Sequence, residues 1–194
     1  MKIYIVLLLY LSLYGCAINL DFGIEDLKTT LDEPKLETQK IKFPNDIRWV
    51  AKSLEYQILC EQTYKNAWNN LSKILNQSNE QSAIIMDLDE TVLDNSKYQI
   101  DLTEKGESYN PESWSKWVNL KEAELVPGAK QFIDNVRSTN TIIIFLSNRM
   151  AKNEAPTIEN MKKLDIYNEE DIFLLRIDKA DKKHVRRNEV TSGT

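Results

Sequence analysis

Apolar residues along this chain recur in two rhythms, and each rhythm predicts an element. From Asp46 to Asn76 they return every three or four positions. Ile47, Val50, Leu54 and Ile58 share one face, and Tyr64, Ala67, Trp68, Leu71, Ile74 and Leu75 continue it. That spacing predicts one or two amphipathic helices, with Asn45 after Pro44 as the N-cap. A polar linker then leads into an unbroken apolar run, Ala83–Met86, the pattern of a buried strand. Further along, Pro127-Gly128 opens a helix with Ala129, Phe132, Ile133 and Val136 on one face. Thr141–Leu146 is a second apolar strand, Thr157 caps a helix bearing Ile158, Met161 and Leu164, and Ile172–Leu175 is a third strand. Helices alternating with short buried strands predict an α/β fold, with helices packed on a parallel sheet.

The start of the chain has a different pattern. Lys2 is followed by Ile3–Leu13, apolar except for Ser12. This run is shorter than the roughly 20 apolar residues a bilayer span needs, and it suits the core of an export signal covering residues 1–15. Leu13-Tyr14-Gly15-Cys16 resembles a bacterial lipobox, which implies cleavage before Cys16 and lipid modification on it. The same resemblance implies an exported, membrane-anchored lipoprotein; Ala17 after the cysteine favours the outer membrane or cell surface. Residues 16–45 are polar, with Pro34 and Pro44, and read as a tether to a domain at 46–194. After cleavage Cys60 would be the only cysteine besides Cys16, so the domain needs no internal disulfide. Net charge is −5 with a pI near 5.1. No basic patch with interleaved aromatics appears, which argues against a nucleic-acid polymer as partner.

The candidate chemistry begins where the first strand ends. Met86 is followed by Asp87-Leu88-Asp89-Glu90-Thr91, with Asp94 close behind. A buried strand that ends in carboxylates places charge at the carboxyl edge of a sheet, where open α/β folds keep their active sites. Period-two alternation turns Asp87 and Asp89 the same way. Two converging carboxylates repel, and a divalent cation such as Mg²⁺ relieves that repulsion with oxygen ligands. The second strand ends in Ser147-Asn148-Arg149, a hydroxyl, an amide and a guanidinium suited to phosphoryl oxygens.

The string Met86-Asp87-Leu88-Asp89-Glu90-Thr91-Val92-Leu93-Asp94-Asn95-Ser96 resembles the first motif of the haloacid dehalogenase (HAD) superfamily, in its class C acid phosphatase and 5′-nucleotidase branch. Trp49 to Gln57 and Glu61 to Tyr64 resemble the N-terminal helix of that branch. The resemblance implies a Rossmann-like parallel sheet and Mg²⁺-dependent hydrolysis of small phosphomonoesters, with nucleoside 5′-monophosphates among the candidates. Asp87 would be the nucleophile and Asp89 the general acid and base. Mg²⁺ would sit on the Asp87 carboxylate and the Asp89 backbone carbonyl. Ser147 and Asn148 would contact phosphate together with one lysine from the run Asp178–Arg187. The pattern Ala180-Asp181-Lys182 points to Lys182, with Lys179 and Lys183 as alternatives. His184 reads as a surface residue.

By the same resemblance, the aromatic-rich stretch at about 97–126 is a small cap over the site. Trp114 and Trp117, spaced i and i+3, and Tyr98 could pack a short helix or stack on a substrate ring. The family also leads one to expect a further strand bearing acidic Mg²⁺ ligands, in the sheet order 3-2-1-4-5. No such segment follows Arg187, so the expectation is a sheet lacking its C-terminal strands, with the Asp87 strand as an unpaired edge. Two rival readings remain: a surface lipoprotein that binds without turnover, favoured by the absent acids, and a mutase or dehalogenase, disfavoured by the lipobox.

Overall fold

The computed structural model describes residues 2–5, 43–75, 77 and 80–192, the first four by backbone alone. The chain divides into a unit made of Met1–Leu8 with Phe43–Thr194 and a second, Leu9–Lys42, which lies outside the described residues. Cys16 and most of the expected tether and signal fall in the latter. No helix among the described residues is long and apolar enough to cross a membrane.

In chain order the elements are β1 (Lys2–Ile5), α1 (Asn45–Lys52), α2 (Leu54–Leu75), β2 (Ser82–Met86) and β3 (Leu93–Asp94). There follow α3 (Ser96–Lys105), α4 (Pro111–Leu120), β4 (Glu124–Leu125), α5 (Ala129–Arg137) and β5 (Thr141–Met150). A 3-10 turn at Ala151–Asn153 leads into α6 (Glu154–Lys163), then β6 (Ile172–Arg176) and α7 (Lys183–Ser192). The main sheet runs β1-β2-β5-β6, all parallel, with Ala83 opposite Ile142 and Phe145 opposite Phe173. This is the expected α/β sheet with its three strands in the expected relative order.

Alternation along β2 and β5 splits the core between the two sheet faces. Ile84, Met86, Ile143 and Phe145 join the large cluster, with Phe132, Ile133 and Val136 from α5, Tyr64 from α2 and Met161 from α6. Ala83, Ile85, Ile144 and Leu146 face the other way, where Val190 of α7 packs. Each such fully buried aliphatic or aromatic side chain contributes about 1.5–3 kcal/mol by leaving water. Helix α5 lies close against α2 because Gly128 (φ +86°) begins it; a Cβ there would come within 3.1 Å of the Glu61 Cα.

The span expected as one or two helices is two, divided at Ser53, whose backbone is extended. Three expectations are corrected. The Asp87 strand is not an unpaired edge, because Lys2–Ile5 pairs in register with Ser82–Ile85 and takes up that row of backbone groups. Asn45 lies in the first turn of α1 rather than capping it, and its Oδ1 accepts from Arg48. Thr157 does not cap α6: it is buried within that helix, and its hydroxyl donates to the Asn153 carbonyl at 2.7 Å. A polar residue followed by apolar ones read as a cap, but the hydroxyl is used inside the core instead.

Candidate active site

β2 ends at Met86 and the acidic motif follows at the carboxyl edge of the sheet. Leu88 is fully buried between Asp87 and Asp89, which keep 36% and 21% of their side chains exposed. The alternation of the strand therefore continues past its last ladder pair. Leu88 also ties the turn: its carbonyl accepts from the N–H groups of Val92 and Leu93, both at 2.8 Å. Glu90 sits at φ +54°, an uncommon conformation for a side-chain-bearing residue that lets this tight loop close. The hydroxyl of Tyr64 donates to the Thr91 carbonyl, anchoring the loop to α2.

The two acids have different partners. The ammonium of Lys183 pairs with Asp87 Oδ2, and the Leu88 N–H donates to Asp87 Oδ1 at 2.8 Å. Asp89 Oδ1 accepts from Arg149 Nε at 2.9 Å and lies 2.7 Å from Nη2 of the same guanidinium, which is 1% exposed. Each carboxylate thus has its own cation, and their mutual repulsion is offset within the protein. Glu90 is exposed as a residue, but protein packed around its carboxyl, and then the charge of Asp89, raise its pKa to about 7.

The second strand supplies its residues differently from expectation. β5 does not stop at Leu146; it runs on to Met150 through a register irregularity. Along this extension Ser147 and Arg149 are buried while Asn148 is exposed. Ser147 Oγ accepts from the Arg149 N–H at 3.1 Å and lies 3.4 Å from Asp89 Oδ2. Asn148 is turned away, its Oδ1 3.3 Å from Arg186 Nη2. Arg186, buried on α7, also donates to the Ser147 carbonyl at 2.9 Å and pairs with Asp181 at 2.6 Å. It fastens the turn before α7 to the end of β5.

This fastening decides which lysine faces the site. Lys182 is exposed, and its carbonyl receives the first helical N–H groups, those of Val185 and Arg186. Lys183, one turn before Arg186 on the helix itself, is the residue that reaches Asp87. Of the three lysines left open, Lys183 is the one paired with Asp87.

Of the two uses open for the aromatic residues, the structure shows packing. Tyr98 and Trp117 are 4% and 3% exposed and pack against each other with ring centroids 6.1 Å apart. Trp114 is half-buried between Tyr98, edge-on at 5.1 Å, and the Arg149 guanidinium, 5.7 Å from its ring centroid. Tyr98 and Trp117 join the main core, and Trp114 packs against it. Sequence reasoning did not single out Asn95, which is fully buried beside Asp89; its place directly behind the acidic motif was the available signal.

Among the described residues no three His, Cys, Asp or Glu side chains converge as a metal cluster. The oxygen donors at the strand end are the partly exposed carboxylates of Asp87 and Asp89 with the backbone carbonyls beside them. That set fits Mg²⁺, which binds through one or two carboxylates and keeps several waters.

A parallel sheet with paired carboxylates at the carboxyl end of a strand, each countered by a cation, defines an α/β protein with its site in the place such folds use. Residues 28–193 match the family described as HAD superfamily, subfamily IIIB (Acid phosphatase), and the chain belongs to that family. Among solved structures it is similar to the class C acid phosphatase from Bacillus anthracis, at 31% identity and a TM-score of 0.67 over 75% of this chain and 62% of that one. A structure of class C acid phosphatase from Bacillus anthracis with tungstate bound gives 32% identity and a TM-score of 0.67 over 76% and 62%. The chain therefore spans 62% of the length of these relatives.

Proposed function

We propose that this protein hydrolyses small phosphomonoesters, nucleoside 5′-monophosphates among them, through a phosphoryl group carried on Asp87. The observation that carries the reading is the Asp87–Lys183 pair at the strand end. A carboxylate held by one ammonium and still partly exposed is a nucleophile with an electrophilic partner at hand. Tungstate, bound by a relative, is a tetrahedral oxyanion like phosphate.

In the first step Asp87 Oδ attacks phosphorus, the ester P–O bond breaks, and Asp89 gives its proton to the departing alkoxide oxygen. In the second step Asp89 takes a proton from water as that water attacks phosphorus, and the Asp87–phosphorus bond breaks to release phosphate. Lys183 offsets charge on Asp87 and on the transferring group, and Ser147 offers its hydroxyl from the buried end of β5. Asp87 and the backbone carbonyl of Asp89 would hold Mg²⁺, which when bound shields the negative charge of phosphate and nucleophile.

Export as a lipoprotein anchored at Cys16 belongs to the same reading and rests on Leu13-Tyr14-Gly15-Cys16. Cleavage there would also remove β1 from the edge of β2. The test of function is phosphate release from p-nitrophenyl phosphate and a nucleoside 5′-monophosphate, with Mg²⁺ and with EDTA. Metal-dependent release is expected; folded protein that releases none would overturn the reading in favour of binding without turnover.

A further inference from the structure

The two oxygens of Asp89 are held very unequally. Oδ1 receives Arg149 Nε at 2.9 Å, Arg149 Nη2 at 2.7 Å and Asn95 Nδ2 at 3.1 Å. Among the described residues, Oδ2 has only the long contact to the Ser147 hydroxyl at 3.4 Å. Arginine has no acceptor to offer, and the Asn95 amide nitrogen is likewise donor-only. A proton on Oδ1 would therefore face three donors.

Asn95 cannot turn over to relieve this. Its Nδ2 also donates to Glu90 Oε1 at 3.1 Å, while its Oδ1 accepts from Trp117 Nε1 at 2.9 Å and from Arg149 Nη2 at 3.4 Å. Arg149 is fixed in turn by Nη1 donating to Thr157 Oγ1 at 2.9 Å. Asn95, Arg149, Trp117 and Thr157 are all buried, so each hydrogen bond among them costs free energy to break and the arrangement is stiff. Trp117 belongs to α4, and α4 is tied again where Ser115 Oγ donates to Asn153 Oδ1 at 2.8 Å.

We propose that Asn95, Arg149 and Trp117 are positioning residues that saturate Asp89 Oδ1, leave Oδ2 as the oxygen that carries the transferred proton, and make that arrangement depend on the seating of α4. This rests on the phosphatase reading and refines it. The inserted helix acts on the reaction through hydrogen bonds behind Asp89. The proton moves from Oδ2 to the leaving oxygen as the ester bond breaks, and the same oxygen later receives a proton from the attacking water.

The consequence is a dependence on the leaving group. p-Nitrophenolate departs without a proton, whereas an alkoxide needs one. Asn95→Leu removes both amide functions while keeping the branching of the side chain. It should lower kcat/KM, which reads the steps up to loss of the alcohol, about a hundredfold for glycerol 2-phosphate, within the usual worth of general acid catalysis, and by only about threefold for p-nitrophenyl phosphate. Trp117→Phe deletes the indole donor while keeping an aromatic ring, and should show the same selectivity at about tenfold; it carries the test if Asn95→Leu does not fold. A folded variant that loses both substrates equally, or neither, overturns the relay while leaving the phosphatase reading intact. A wild-type protein that turns over neither substrate overturns the reading, and the relay with it.

Discussion

The strand ends and the inserted helices between β3 and β4 are both rich in side chains that could serve a ligand, yet the protein uses them in opposite ways. At the strand ends, partners come from far along the chain: Asp89 meets Arg149, and Asp87 meets Lys183. The two carboxylates are partly exposed and aimed at a common edge. In the insertion the Tyr98 hydroxyl meets Ser113 at 2.8 Å, and the aromatic rings pack on one another and on the main core. The contrast teaches that charged partners gathered from distant elements at the carboxyl edge of the sheet mark a built site. A dense run of aromatics in an insertion can instead anchor it to the core.

Substitutions on the two sides should separate this contrast, beginning with the largest effect. Asp87→Asn should lower phosphate release on the order of 10⁴-fold or more, with an unchanged circular dichroism spectrum. Phe132→Ala, in the core beneath the strands, should cost about 3–5 kcal/mol in urea unfolding, since the side chain is 1% exposed. Lys183→Met should reduce kcat on the order of 10²-fold, whereas Lys182→Met should stay within about twofold of wild type; equal losses would return the role to either lysine. Tyr64→Phe removes the donor to the Thr91 carbonyl and should lower stability by about 1 kcal/mol. Tyr109→Ala, on the insertion and 61% exposed, should change stability by less than about 0.5 kcal/mol; a larger loss would mean the insertion is held from outside its own core.

Much of the fold could be read from the chain because its physical signals are local. Ala83–Met86 and Thr141–Leu146 are apolar runs that stop at polar residues, so both strands and the edge that bears the site followed directly. What stayed hidden depends on phase and distance. Lys179, Lys182 and Lys183 could not be told apart because the point at which α7 starts, set by Arg186 gripping the end of β5, has no signature in a charge run. Arg149 read as a phosphate contact, since nothing local says that a carboxylate sixty residues earlier will claim it. Tyr98 and Trp117 could not be sorted between core and ligand by spacing alone, as a short amphipathic helix and a stacking surface want the same residues. The pairing of Lys2–Ile5 on β2 stayed hidden because that apolar run read as an export signal and not as a strand.

The central claim is that Asp87 carries the phosphoryl group, and it can be observed directly. Protein mixed with p-nitrophenyl phosphate and Mg²⁺, quenched in acid during turnover, would be read by intact and peptide mass spectrometry. The account predicts one added phosphoryl group on the peptide containing Asp87, absent from Asp87→Asn. Turnover with no adduct at Asp87, or with the adduct on another residue, would contradict it.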